Sequence, residues 1–195
     1  MSVAAETAAA AHHVEADPAK RVRINRLGLW LFLFSDGLLF ALLGASRFYI
    51  NGTDTPDEIS QTLGLGITSI LLLSSLTAYR AETAFAHGNR RHGQLMLLAT
   101  IGLGLIFMVG VGFEWSIAEF TPSDGYGTSF FSMTGMHAFH VGTGVLFLAM
   151  IYALSLRGRY GADDHWAVSG TVMWWHFVDV VWVFFYPILY LIEWK

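Results

Sequence analysis

The chain lacks cysteine and is poor in charge. Its 195 residues include no cysteine, which excludes disulfides, thiolate nucleophiles and cysteine-ligated zinc or iron–sulfur sites. Charged residues form 13% of the chain, whereas soluble domains have roughly 25%. The few basic residues are scattered, so a nucleic-acid partner is excluded as well. Hydrophobic residues reach 54%, and this composition indicates a membrane protein.

Five windows each offer the roughly 20 apolar residues that a membrane-spanning helix needs. The fold class that we predict is therefore all-α, a polytopic membrane protein built as a bundle of five transmembrane helices. Short segments with glycine, proline or charge separate the windows, as expected for surface turns. We divide the chain into an N-terminal cytoplasmic tail, residues 1–22, and a transmembrane domain, residues 23–195. The predicted spans are about 27–49, 60–80, 94–117, 130–154 and 168–191.

The basic residues predict how the bundle is oriented. Four precede the first span, three lie in the second loop and two lie in the fourth loop, while only Arg47 and Lys195 fall on the other side. Because cytoplasmic segments carry an excess of lysine and arginine, we expect a cytoplasmic N-terminus and an outside C-terminus.

Glycines cluster in the third and fourth spans. Small residues let membrane helices approach closely, so we predict tight packing at these positions. Neither cluster completes the G-x-G-x-x-G pattern of a dinucleotide site, because phenylalanine occupies the third glycine position. The residues concerned are Gly102, Gly104, Gly110, Gly112, Gly142 and Gly144.

Six ionisable residues lie inside or just within the spans. Such residues normally face the bundle interior and pair with each other, because lipid offers neither water nor counter-ions. At about 1.5 Å per residue, four of them can share one layer roughly 12–16 Å from the cytoplasmic edge. We predict three neighbouring pairs. They are Asp36 with His176, His140 with Asp179, and Glu114 with His137.

The pattern alone leaves several roles open for these side chains. Three histidines at depth can supply axial ligands to a b-type haem, whereas the H-E-x-x-H arrangement of metal-dependent hydrolases is absent. A proton path and purely structural pairing are the other two interpretations, and structural pairing is the commoner. A free-standing transporter is a further alternative, but the chain shows no internal repeat or matched pair of broken helices.

Five segments, in chain order, resemble subunit III of the haem-copper oxidases. The resemblance runs over about residues 27–190, and the combination is far more specific than any single piece. The segments are WLFLFSDGLLF at 30–40, SSLTAYRAETA at 74–84, GFEW at 112–115, FFSMTGMHAFHVGTGVLFL at 130–148 and WWHFVDVVWVFFY at 174–186.

The resemblance implies an accessory subunit with no redox chemistry and no catalytic, metal or cofactor site of its own. Haem and copper are then expected in partner subunits, and bound phospholipid is expected here. The implied main contact is the catalytic subunit I, with subunit II and other respiratory-complex subunits as further partners. Sustained proton uptake into subunit I and its protection during turnover are the implied contributions. The implied location is a prokaryotic plasma membrane.

Three features depart from the usual pattern of that family. Many members begin with two further helices that form one arm of a lipid-filled cleft, whereas this chain resembles the compact five-helix form of bacteria. Asp36 stands where the usual carboxylate is a glutamate, one methylene longer, so a proton role carries over only weakly. Residues 167–169, Ala-Val-Ser, align with a common Gly-Phe-Glu, which leaves His165 as the nearest polar residue.

Overall fold

The computed structural model describes residues 18–53, 56, 59–162 and 164–192, and this part of the chain folds into long helices without a strand. Each of the five helices is long and apolar enough to cross a membrane, which confirms the predicted fold class. They are α1 (Pro18–Asn51), α2 (Gln61–Ala86), α3 (Arg90–Ile117), α4 (Gly125–Leu156) and α5 (Trp166–Tyr186), and a π-helical turn (Pro187–Leu191) continues α5.

The helices extend beyond the predicted spans at several ends. Helix α1 already begins at Pro18, so residues 18–22 of the predicted tail are helical, while residues 1–17 lie outside the described part. Hydropathy marks only the segment that fits hydrocarbon, whereas a helix of good formers such as alanine, lysine and arginine continues past it. The length of α1 therefore depends on the helix propensity of its residues as well as on its apolar content.

Local signals explain where the helices start and turn. Ser60 caps α2 by accepting a hydrogen bond from the Leu63 N–H at 3.3 Å, and Asn89 caps α3 in the same way. Gly88, between α2 and α3, has a φ of +74°, a conformation that glycine adopts without strain. The result is a tight hairpin, so α2 and α3 pack against each other along their length.

Successive helices run in opposite directions. We call the end at which α1, α3 and α5 begin the proximal end, and the end at which they finish the distal end. Gln94 of α3 donates to the Ser155 carbonyl of α4 at the proximal end, and Gln61 of α2 donates to the Tyr190 carbonyl at the distal end. Helix α5 packs on α1, α2 and α4, and helix α4 packs on α1, α3 and α5, so these two helices lie at the centre of the bundle.

Two tryptophans fix α5 to α2. Trp175 and Trp182 are fully buried and lie seven residues apart, so both project from the same face of α5. Their indole N–H groups donate to hydroxyl oxygens of α2, Trp175 to Ser74 and Trp182 to Thr68, each at 2.9 Å. An unpaired N–H is costly where water is absent, so these bonds determine how α5 is rotated against α2.

Glycines provide the space that Trp175 occupies. A methyl group on Gly104 of α3 would lie 2.6 Å from the Trp175 ring, and one on Gly144 of α4 would lie 2.8 Å from it. Gly110 is equally tight, against Ile67. These three positions confirm the predicted close approach. The prediction was wrong for Gly102 and Gly112, which have open space where a side chain would be.

Pro187 ends the regular part of α5. Proline has no N–H to donate, and the chain continues as a π-turn in which the Ile192 N–H reaches the Pro187 carbonyl at 2.9 Å. The Leu189 carbonyl of this turn accepts a hydrogen bond from the Tyr126 hydroxyl of α4 at 2.8 Å. The turn therefore links α5 to the start of α4.

The glycine next to Trp175 gives a test of this packing. We expect Gly104→Ala to destabilise the protein by about 1–3 kcal/mol, because overpacking a rigid buried ring displaces side chain or backbone. Gly102→Ala, on the same helix but facing open space, is the matched control. Thermal unfolding in detergent measures both, and equal midpoints for the two variants would contradict this account of the core.

Candidate functional site

Asp36 and His140 face each other between α1 and α4. The Asp36 Oδ2 atom lies 3.3 Å from the His140 Nε2 atom, although the two are not aligned for a hydrogen bond. The other ring nitrogen, Nδ1, donates to the Met136 carbonyl at 2.7 Å, which fixes the ring. Aromatic rings enclose the contact, since Phe40 packs edge-on against the imidazole and Trp174 stacks on it. This contact joins α1 to the rest of the bundle within the membrane.

His176 and Asp179 of α5 share a partner on α2, Ser75. The Ser75 hydroxyl donates to Asp179 Oδ2 and lies 2.9 Å from His176 Nδ1. A hydroxyl has one proton, so a serine that donates to the carboxylate accepts from the imidazole N–H. The result is a chain in the order histidine, serine, aspartate. In a hydrolytic triad the histidine is central, so this order does not activate a serine nucleophile.

The two remaining ionisable residues are buried nearer the distal end. His137 donates from Nε2 to the Val178 carbonyl of α5 at 3.1 Å. Glu114 accepts a 2.7 Å hydrogen bond from the Tyr190 hydroxyl, at the π-turn. Each therefore connects its own helix to α5 or to the turn that follows α5.

Arg47 adds a buried cation at the distal end. Its side chain is fully buried, donates to the Gly52 carbonyl at 2.6 Å and lies over the Tyr126 ring with 4.9 Å from Cζ to the ring centre. Tyr126 in turn holds the π-turn, so α1, α4 and α5 meet here. Sequence reasoning used Arg47 only for orientation. The position of Arg47 inside the first predicted span could have identified it as a buried polar residue.

The three predicted pairings were wrong. Asp36 lies against His140 rather than His176, Asp179 bonds Ser75 rather than His140, and Glu114 bonds Tyr190 rather than His137. The physical reason for the second and third errors is that neutral groups of neighbouring segments bond these side chains: a serine bonds Asp179, a tyrosine bonds Glu114 and a backbone carbonyl accepts from His137. Ser75 and Val178 lay inside quoted motifs, whereas Tyr190 did not. The depth of a side chain in the membrane does not determine how its helix is rotated about its axis, and this rotation decides which partner the side chain meets.

The histidines do not fit the axial ligands of a haem. Both nitrogens of His140 already face oxygen atoms, and His176 uses Nδ1 toward Ser75. The His137 ring packs against Phe107 and Trp182, whose rings occupy the space that a porphyrin would need. Within the described ranges, no three histidine, cysteine or carboxylate side chains form a group that could hold a metal ion.

Two grooves flank the line along which α1 meets α5. The α4-side groove, about 870 Å³, lies between the proximal halves of α1 and α5 and the end of α4. The α2-side furrow consists of a proximal part of about 470 Å³ and a distal part of about 600 Å³. Both parts are lined by Phe177 and Val180, so they adjoin each other along α5.

Sequence comparisons agree with the motifs. Residues 2–194 match the family described as Cytochrome c oxidase subunit III. A cytochrome c oxidase subunit 3 from Podospora anserina is 36% identical over 177 residues, which are 84% of this chain and 66% of the relative. The corresponding proteins of Loxodonta africana and Cyanidium caldarium are 34% and 35% identical, each over 85% of this chain and over 68% and 66% of their own lengths.

The chain therefore spans about two thirds of the length of these relatives. The match includes all five helices and every motif that carried the resemblance. Together with the five membrane-crossing helices, it identifies a multi-pass membrane protein of the respiratory chain. This chain belongs to the cytochrome c oxidase subunit III family.

Proposed function

We propose that this chain is the non-redox accessory subunit III of a prokaryotic proton-pumping haem-copper terminal oxidase, which reduces oxygen to water. The family match over residues 2–194 carries the proposal. The described ionisable groups in the bundle support it, because they contact one another or bond neutral partners rather than converging on a ligand. The prokaryotic plasma membrane follows from the resemblance alone.

The polar contacts act as a brace between helices. Asp36 and His140 join α1 to α4, Ser75 joins α2 to α5, and Glu114 joins α3 to the π-turn. Each contact crosses between helices where water does not compete. Such a bundle presents a fixed surface to catalytic subunit I, the proposed main partner, with subunit II and other subunits of the complex as further partners.

The α4-side groove is the proposed phospholipid site. Its walls are apolar, including Phe32, Phe147 and Trp174, while Asn25 and Tyr160 supply polar groups. Acyl chains fit such walls, and a headgroup at the proximal mouth can meet the polar side chains and Arg159, which is next to Tyr160 in the chain.

Support of proton uptake is the remaining part of the proposal. The Asp36–His140 contact is the ionisable pair that joins α1 to α4, and the resemblance assigns a protective role during turnover to subunits of this type. A complex that lacks this chain should keep its haem spectrum but lose activity sooner while turning over. Haem and copper chemistry itself belongs to the partner subunits.

Isolation of the native complex tests the main proposal. Extraction in mild detergent should recover this chain together with haem-bearing subunits in a coloured complex, whereas the isolated chain should be colourless. Visible spectra and intact subunit masses provide the measurement. Recovery of this chain without any haem-bearing partner would refute the oxidase assignment, and a Soret band on the isolated chain would favour a b-type cytochrome.

The serine that joins α2 to α5 gives a second test. Ser75→Ala leaves Asp179 and His176 without their shared partner, and we expect a loss of about 1–3 kcal/mol in stability from the unsatisfied buried groups. Ser69→Ala is the control, because that exposed hydroxyl bonds only the Leu65 carbonyl of its own helix. Thermal unfolding in detergent should show a lower midpoint for the first variant only.

Filling the α4-side groove gives a test of lipid binding. Gly170 lines this groove, and Gly170→Phe should displace the bound acyl chains. Native mass spectrometry is expected to show loss of co-purifying phospholipid from this variant. Gly66→Phe, on α2 where a side chain meets open space, should retain the lipid. Equal lipid content in both variants would count against a lipid site in this groove.

A further inference from the structure

The α2-side furrow combines an apolar distal half with a polar proximal half. The distal part is lined almost wholly by apolar residues of α1 and α5. In the proximal part, Ser169 and His176 of α5 lie between Arg26 of α1 and Glu82 of α2. Among the described residues, neither Arg26 nor Glu82 forms an ion pair. The lining of the proximal part therefore contains a cation, a carboxylate and an imidazole.

The furrow is about as long as the membrane is thick. Its lining on α5 runs from Ser169 to Ile188, which at about 1.5 Å per residue is roughly 28 Å, against a hydrocarbon core of about 30 Å. An occupant that fills it therefore spans the bilayer. A single leaflet of lipid covers only half of that distance.

The chemistry of the two halves favours a protein helix over acyl chains. The Nδ1 atom of His176 faces Ser75, and hydrocarbon offers no hydrogen-bonding partner to the other ring nitrogen, Nε2. In the distal half, Ala41 and Ala45 of α1 are exposed along the furrow, four residues apart on one face of the helix, whereas Gly44 is buried against Ile188. Small residues at this spacing let a second helix backbone approach closely.

We propose that the α2-side furrow is the surface on which a transmembrane helix of the haem-bearing catalytic subunit docks. The inference rests on the proposed function and adds the location of that contact. The docking helix carries a polar or charged side chain at the depth of His176, where it pairs with the groups of the proximal half. Its small or apolar residues face Ala41 and Val180 in the distal half.

Because the chain has no native cysteine, a single introduced cysteine is the only thiol on it that a labelling reagent can modify. Val180→Cys introduces the only thiol of the chain where the two parts of the furrow adjoin, and Ile106→Cys introduces one on α3. Both native side chains are 53% exposed, so they are matched in accessibility. A membrane-permeant maleimide is applied to the intact complex and to the chain separated from it in detergent, and the label on this chain is measured by mass.

We expect Val180→Cys to lose its labelling in the complex and to regain it on separation, while Ile106→Cys is labelled in both. Equal labelling of the two variants in a complex that still contains haem-bearing subunits would overturn the docking surface and leave the proposed function standing. Protection of Val180→Cys in the separated chain would overturn it too. Failure of Val180→Cys alone to join the complex, at unchanged chain level and stability, would support it.

A photo-crosslinker identifies the occupant. Benzoylphenylalanine in place of Val180 is expected to give an adduct with the haem-bearing subunit, and the same group in place of Ile106 is the control. Adducts of the first variant with phospholipid alone, or with a second copy of this chain, would show a different occupant and refute the proposal.

Discussion

The structure depends on satisfying two indole N–H groups in an environment without water. Trp175 and Trp182 can donate only to Ser74 and Thr68 of α2, which fixes α5 in depth and rotation. The ring of Trp175 also demands glycine on α3 and α4. Once the depth and rotation of α5 are fixed, the neighbours of its remaining faces are fixed as well. Asp179 and His176 turn toward Ser75, and the opposite flank receives α1.

Hydropathy was enough to predict the five helices, because the bilayer imposes length and apolar content on any spanning segment. The polar contacts were harder to predict. Depth along each helix placed Asp36 and His176 together, but the partner is decided by rotation, and rotation is set by distant residues such as Trp182 and Thr68. The search for charged partners also overlooked neutral ones. In hydrocarbon a serine hydroxyl or a carbonyl satisfies a carboxylate or imidazole without a second charge to desolvate.

The family resemblance depends on five segments that occur in the same order as in the family, rather than on any one residue. The His-Phe-Val-Asp segment of α5 contains the side chains that meet Ser75, and Ser75 itself lies in the second quoted segment. The Thr-Gly-x-His-x-x-His segment of α4 holds His140 opposite Asp36 of the first. The motifs thus coincide with contacts between helices. Residues that jointly hold a bundle together are recognisable in sequence even where their pairing is not.

Helix α1 separates the two grooves, and this has a thermodynamic consequence. It packs on α4 and α5, and its central polar attachment is the contact between Asp36 and His140. Phe32 and Leu29 face the α4-side groove, whereas Trp30 and Leu33 face the α2-side furrow. An occupant of either groove that shifts α1 changes the shape of the other. Because such coupling is reciprocal, an occupant of the furrow that shifts α1 would alter the affinity of the proposed lipid site by the same factor as lipid would alter docking in the furrow.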